Sequence, residues 1–360
     1  GIYMKRGEAE KAVEQWRTIY EINPSSVSIL GDIAKYYYET MQFDKAREYV
    51  DKILAIRPED PNALQLAGNI AHWKDNDDGA IEWWKTALSI RPQNRNLREY
   101  IEFLRPKEKP FEDEYKVDVA ELLGRFNPSP ADYPDDSSIF LLDQTVFEVH
   151  SNGLYNRFGQ QVVKILQKKG TDDFKHRYVI FSPGEEYVEI QSAKIYKLDS
   201  EGNITKVINA AGPFEQAISG DASAKLYYNI MARIHVFNNL EVGDVIEYTY
   251  RLNQVSAKNL YADYFGNIAY VQNVLPKKEM RVVYITPSEK QFYHKTVGIE
   301  KEPEIAEQDG KRIYSWFFND IAKIKSEPMM PGLAEISPYI HISTFKDWKS
   351  VGDWYWGLIQ

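Results

Sequence analysis

The sequence predicts a multidomain α + β chain: an N-terminal α-solenoid, then an antiparallel β-sandwich, then a C-terminal amphipathic helix. Three observations predict it. Prolines recur at Pro24, Pro58 and Pro92, 34 residues apart. Beyond Ser138 the apolar residues alternate with a period of two, as half-buried strands do. The chain then stops on "DWKSVGDWYWGLIQ", three tryptophans on a helical stripe. With 360 residues, 43% hydrophobic and 27% charged, the chain has the composition of an ordinary globular protein with room for two or three cores.

The solenoid prediction covers residues 1–105. Other positions keep the 34-residue spacing: Ala12, Ala46 and Ala80; Trp16, Val50 and Trp84; Ile22, Ile56 and Ile90; Ala34 and Gly68. Small residues let helices approach, bulky ones fill the gaps, and each proline stops a second helix. This pattern resembles the tetratricopeptide repeat, two antiparallel helices per unit. The resemblance implies that the first helices line a concave face, carrying Ser28, Lys35, Tyr38 and Glu39, then Asn62, Gln65, Asn69, His72 and Trp73. A protein or peptide is the partner expected there. The competing expectation is a spacer whose polar residues are merely solvated.

Residues 106–138, rich in proline and acidic side chains, read as a linker with one short helix in "KVDVAELLGRF", its apolar side being Val119, Leu122, Leu123 and Phe126. Residues 139–342 then hold about ten strand-like runs, among them "IFLLDQTVFEVH", "DVIEYTYRL", "MRVVYITPS" and "YIHIS". "EGN" at 201–203 and "DGK" at 309–311 signal hairpins. With no long helix between the runs, an antiparallel sandwich is expected.

Residues 343–360 form the last element. Trp348, Val351, Tyr355, Leu358 and Ile359 share one stripe, flanked by Trp354 and Trp356, so roughly half the circumference is apolar. Thr344 with Asp347 resembles a capping box, placing the start near Phe345. The order "LEVGDVIEYTYRL", "YSWFFNDIAKIKSEPMMPG", "YIHISTFKDWKSVGDWYWGL" is similar to a bacterial β-rich domain of unknown function that precedes a transglutaminase-like core. That resemblance implies that Trp348, Val351, Trp354, Tyr355, Trp356 and Leu358 dock a downstream transglutaminase-like domain in cis, in a bacterial cell-envelope, periplasmic protein. The first and last residues read as mid-structure, so the sequence is expected to continue at both ends.

Chemistry is not expected within this chain. It has no cysteine, hence no thiolate nucleophile of the transglutaminase kind, no disulfide and no thiolate metal site. Its six histidines lack close ligand-type partners, and His235 and His341 sit in strand-like runs as face-lining residues. No glycine-rich phosphate loop is present, and no cofactor is expected. A net charge of −9 without a basic stripe argues against nucleic acid. No apolar run nears the ~18 residues of a membrane span. The expected role is a non-catalytic scaffold and recognition region. The alternative is an autonomous carbohydrate- or peptide-binding module.

Overall fold

The computed structural model describes residues 9–104, 110–218, 230–255, 263–325 and 327–357. They divide into two compact units, one helical and one β-rich. The helical unit is a run of antiparallel pairs: α1 (Ala9–Ile22), α2 (Val27–Glu39), α3 (Phe43–Ile56), α4 (Pro61–Trp73), α5 (Asp77–Ile90) and α6 (Arg95–Leu104). Helices α1, α3 and α5 each end two residues before a proline of the 34-residue series. Asp60 starts α4, its carboxylate accepting from the Asn62 and Ala63 backbone N–H at 3.1 and 3.0 Å, with Pro61 at the first helical position, where no N–H is needed. The repeated small residues Ala34, Ala46 and Ala80 are fully buried, which permits the close helix approach that their spacing predicts.

The β-rich unit is built on an eight-stranded sheet in the order β12-β13-β10-β1-β2-β8-β4-β5. Its strands are β1 (Ser138–Val149), β2 (Tyr155–Ile165), β4 (Glu186–Leu198), β5 (Ile204–Asn209), β8 (Val245–Gln254), β10 (Lys277–Pro287), β12 (Glu304–Gln308) and β13 (Lys311–Ile321). Two three-stranded sheets cover one face. One joins β3 (His176–Phe181), β7 (Met231–Val236) and β6 (Ala211–Ala217); the other joins β11 (Tyr293–Val297), β14 (Tyr339–Ser343) and β9 (Gly266–Tyr270). Phe181 and Phe237 meet Val163, Ile246 and Tyr248 under the first. Ile340 and Ile342 meet Val282, Tyr284 and Trp316 under the second. The expected sandwich is therefore one large sheet facing two small ones.

Several expectations need correction. The sheet is not purely antiparallel: β1 and β10 run parallel, with Val146 opposite Val283, which a strand pattern alone cannot reveal. Residues 110–137 are not a free linker. A single 3-10 turn (Phe111–Glu114) and α7 (Val119–Arg125) lie on the other face of the large sheet, where Val119, Leu122 and Leu123 pack on Leu142, Val162 and Val245. The short helices α8 (Lys168–Asp173) and α9 (Leu333–Ile336) precede the terminal helix α10 (Trp348–Gly357). Helix α10 starts three residues later than Phe345. Asp347 caps it, accepting from the Ser350 N–H at 2.9 Å, while Thr344 bonds to the Phe265 backbone and extends the sheet. No helix among the described residues is long and apolar enough to cross a membrane.

Candidate functional site

Helices α2 and α4 lie side by side in the array, and a groove of about 820 Å³ opens along them. Its buried floor includes Ile53 and Ala63, with Leu66 at its edge. Seven of the nine residues expected on the concave face line it: Ser28, Lys35, Tyr38, Glu39, Asn62, Gln65 and Asn69. Helical periodicity explains this, because residues three or four apart fall on one face.

The amides of α4 divide their bonding between the array and the groove. Asn62 Oδ1 accepts from Arg91 at 3.0 Å, Gln65 Oε1 accepts from Asn94 Nδ2 at 3.0 Å, and Asn69 Oδ1 accepts from the Trp84 indole N–H at 2.9 Å. Each side chain thus commits its oxygen to an element later in the array, and among the described residues no hydrogen bond from the NH2 of these three is found. The result is a short rail of donors along the groove. Asp32, Lys35 and Glu39 stand exposed on the facing helix, with Lys35 and Glu39 only loosely paired at 3.7 Å. A rail of amide donors suits backbone carbonyls, and mixed charges on the facing helix suit a neutral or zwitterionic segment better than a polyanion.

His72 and Trp73 fall outside the groove lining. The ring of His72 is held between Asp77 at 2.5 Å and the Tyr100 hydroxyl at 2.7 Å. Trp73 stacks on Phe43 with centroids 5.9 Å apart and donates its indole N–H to the Tyr38 hydroxyl at 2.9 Å. Both tie the repeats together at the end of α4, where the helix face has turned away from the groove. Asp32, Arg57 and Asp60 do line it and were not expected there. Arg57 and Asp60 belong to the loop ahead of α4, which helical spacing does not register.

A second surface lies on α10. Trp348 is 88% exposed, Trp356 64% and Tyr355 59%. Of its apolar side chains, Trp354 and Val351 are half-buried. Trp354 packs on Phe345 at 5.8 Å, which in turn stacks on Tyr264 at 4.8 Å. The helix is thus anchored through one tryptophan and presents the other aromatics to solvent. Leu358 lies outside the described residues.

Among the described residues no group of three or more histidine, aspartate or glutamate side chains is placed to hold a metal. His235 is buried against Tyr248, with ring centroids 5.9 Å apart, and His341 is half-buried on β14. Burial lowers the pKa of both, and for His235 the nearby Arg233 adds to the effect.

Comparison with known proteins agrees with this division. The tetratricopeptide repeat family matches residues 3–70. A family described as a domain of unknown function with solved structure (DUF3857) matches residues 151–325. Among curated proteins, human RANBP2-like and GRIP domain-containing protein 1 is 30% identical over 100 residues, which is 28% of this chain and 6% of that protein. The E3 SUMO-protein ligase RanBP2 of Pan troglodytes is 29% identical over 112 residues, 31% of this chain and 4% of that one. The chain thus spans only a few per cent of the length of these relatives. Among solved structures, a Parabacteroides distasonis protein proposed to be a protease matches with a TM-score of 0.52 at 17% identity, covering 59% of this chain and 41% of that one. That likeness concerns the fold. The chain therefore joins tetratricopeptide repeats to a β-rich region matched by the DUF3857 family.

Proposed function

We propose that this chain is the recognition and scaffold region of a larger bacterial envelope protein. The repeats hold an extended peptide segment of a partner in the α2–α4 groove, and the β-rich unit presents α10 to a transglutaminase-like domain in the same polypeptide. The observation that carries the reading is α10 itself: a helix with three large aromatic side chains more than half exposed. An apolar face of that kind marks a contact surface in a soluble protein. The longer P. distasonis neighbour gives support, since the shared fold accounts for 41% of that chain and further chain accompanies it. The donor rail of Asn62, Gln65 and Asn69 supports the peptide half of the reading.

Both halves are testable. Iodide quenching of tryptophan fluorescence, run on this chain and on the gene product extended past Gln360, is expected to show protection of Trp348 and Trp356 in the longer protein. Equal quenching in both refutes docking. For the groove, peptides selected on the chain from a random display library are expected to lose at least tenfold in affinity with N69A or K35E. Selected peptides that bind these variants unchanged place recognition elsewhere.

A further inference from the structure

Among the described residues, every buried carboxylate but one has a cation beside it. Asp60, Glu112, Asp136, Asp244 and Glu279 each lie within ion-pair distance of a lysine or arginine. Glu247 on β8, only 8% exposed, does not. Neutral donors hold it instead. Its Oε2 accepts from the Ser192 hydroxyl at 2.7 Å and the Tyr196 hydroxyl at 2.8 Å. Its Oε1 is held more loosely, by Gln160 Nε2 at 3.2 Å and the Thr249 hydroxyl at 3.4 Å. Burial and the Glu247 charge both raise the Tyr196 pKa, so that hydroxyl stays protonated and donates. These bonds offset part of the cost of burying a carboxylate, but the negative charge remains, and buried charges are normally paired.

Glu247 lines a cleft of about 410 Å³ that opens between residues 116–119, where the chain enters α7, and strands β2, β4 and β8. Two further groups on its wall are unmet. Lys194 stands directly opposite Glu247 in the β4–β8 pair, on the same face of the sheet. It is half-buried and lines the cleft, yet it makes no ion pair or hydrogen bond among the described residues. Gln191, also on the wall, donates its amide N–H to Glu112 at 2.7 Å, which leaves its Oε1 buried and without a partner. One cavity therefore carries a buried anion without a counter-ion, an ammonium without a counter-ion, and a spare amide acceptor. Side chains directly opposite each other on paired strands have Cβ atoms about 5 Å apart, and the flexible lysine stem lets its charge adjust to a guest.

We propose that this cleft binds a free α-amino acid as its zwitterion, the ammonium seated on Glu247 and the carboxylate met by Lys194. A zwitterion supplies each unpaired charge with its opposite and adds no net charge to a partly buried site. Its ammonium has three donors, so acceptors beyond the carboxylate are useful, and Gln191 Oε1 on the same wall is one. Charge-assisted bonds of this kind are the stronger class of hydrogen bond. The site belongs to the β-rich unit and does not rest on the peptide groove or on α10.

The test is calorimetric titration of the whole chain with L-alanine and, separately, with ethylamine, at constant ionic strength. L-Alanine is expected to bind saturably, and ethylamine, which lacks the carboxylate, about tenfold more weakly. Lys194→Met should bring L-alanine down to the level of ethylamine and leave ethylamine unchanged. Glu247→Gln, close to isosteric, should weaken both by about tenfold or more. Near-UV circular dichroism checks that the glutamine variant keeps its packing; if it does not, Lys194→Met at its half-buried position carries the test. No saturable binding of L-alanine overturns the proposal. So does ethylamine binding as tightly as L-alanine, or L-alanine binding that Lys194→Met or a folded Glu247→Gln leaves intact.

Discussion

Gly68→Ala is expected to destabilise the helical array, although glycine to alanine inside a helix normally helps. Gly68 lies in the middle of α4, where alanine is favoured by about 1 kcal/mol. A Cβ built there meets Trp84 Cδ1 and Nε1 at 2.4 Å and Cε2 at 2.9 Å, far inside van der Waals contact. The indole cannot swing aside cheaply. It is 1% exposed, its N–H is bonded to Asn69 Oδ1 at 2.9 Å and to the Gln65 carbonyl at 3.2 Å, and Tyr100 abuts it at 5.5 Å. Overpacking of this kind costs roughly 1–3 kcal/mol, so the net loss after the propensity gain is up to about 2 kcal/mol. Gly31 in α2 is the control, since a Cβ there has no atom within 4 Å. Gly31→Ala should gain about 0.5–1 kcal/mol.

Urea unfolding followed by circular dichroism at 222 nm reads both. With a slope near 2 kcal/mol/M, the G68A midpoint should fall by up to roughly 1 M and the G31A midpoint rise by a few tenths. The array suggests its own rescue. One repeat earlier, the positions of Gly68 and Trp84 are held by Ala34 and Val50. In a W84V background, then, G68A should turn from harmful to helpful, a coupling that a double-mutant cycle isolates. A G68A midpoint at or above wild type, or equal effects of G68A in both backgrounds, would refute the steric reasoning.

Two further outcomes are expected. W348S and W356S should each change the unfolding free energy of this chain by little, within about 0.5 kcal/mol in urea titration, because both side chains face solvent, whereas W354A should cost clearly more; a large loss with W348S would mean that this ring is packed. The β-rich unit should weaken as pH falls below about 6.5, where the unfolded imidazoles of His235 and His341 take up protons that their burial-lowered folded pKa values refuse. Comparing urea midpoints at pH 7.5 and 5.5 checks this, and a double H235Q/H341Q variant with an unchanged pH slope would exclude the histidines as its source.

What the sequence made legible follows from how repetition and burial write themselves into it. The array was readable because the same packing problem recurs every 34 residues, so Ala34 and Gly68 could be aligned before any coordinates. Among the strands, β5, β6, β11 and β12 show no strand-like run of their own, β5 and β12 being marked only by their hairpin turns, and all four are sheet edges. An edge strand pairs on one side only and several of its residues stay exposed, so alternation is not required of it: all five residues of β12 and six of the seven in β6 are exposed. In the groove, Asn62, Gln65 and Asn69 were visible by helical spacing, but the direction of their amides was not. That depends on Arg91, Asn94 and Trp84, which lie on later elements.

The strap over residues 110–125 was misread for a physical reason that also explains how it holds. Much of its attachment to the sheet is polar. Gln160 donates to the Val117 carbonyl at 2.7 Å and accepts from the Val117 N–H at 3.0 Å, acting toward the strap as a neighbouring strand would. Gln144 donates to the Tyr115 carbonyl at 2.8 Å, and Glu112, fully buried, pairs with Arg251 at 3.1 Å and accepts from Gln191 at 2.7 Å. Bonds of this sort add only about 1 kcal/mol each in net stability. Their larger effect is on register, since sliding the strap by one residue would strand several buried donors and acceptors at once. A segment fixed by backbone-seeking glutamines needs no long apolar run of its own. Proline and acid content therefore make it look like a tether, when the polar residues that bind it stand on β1, β2, β4 and β8.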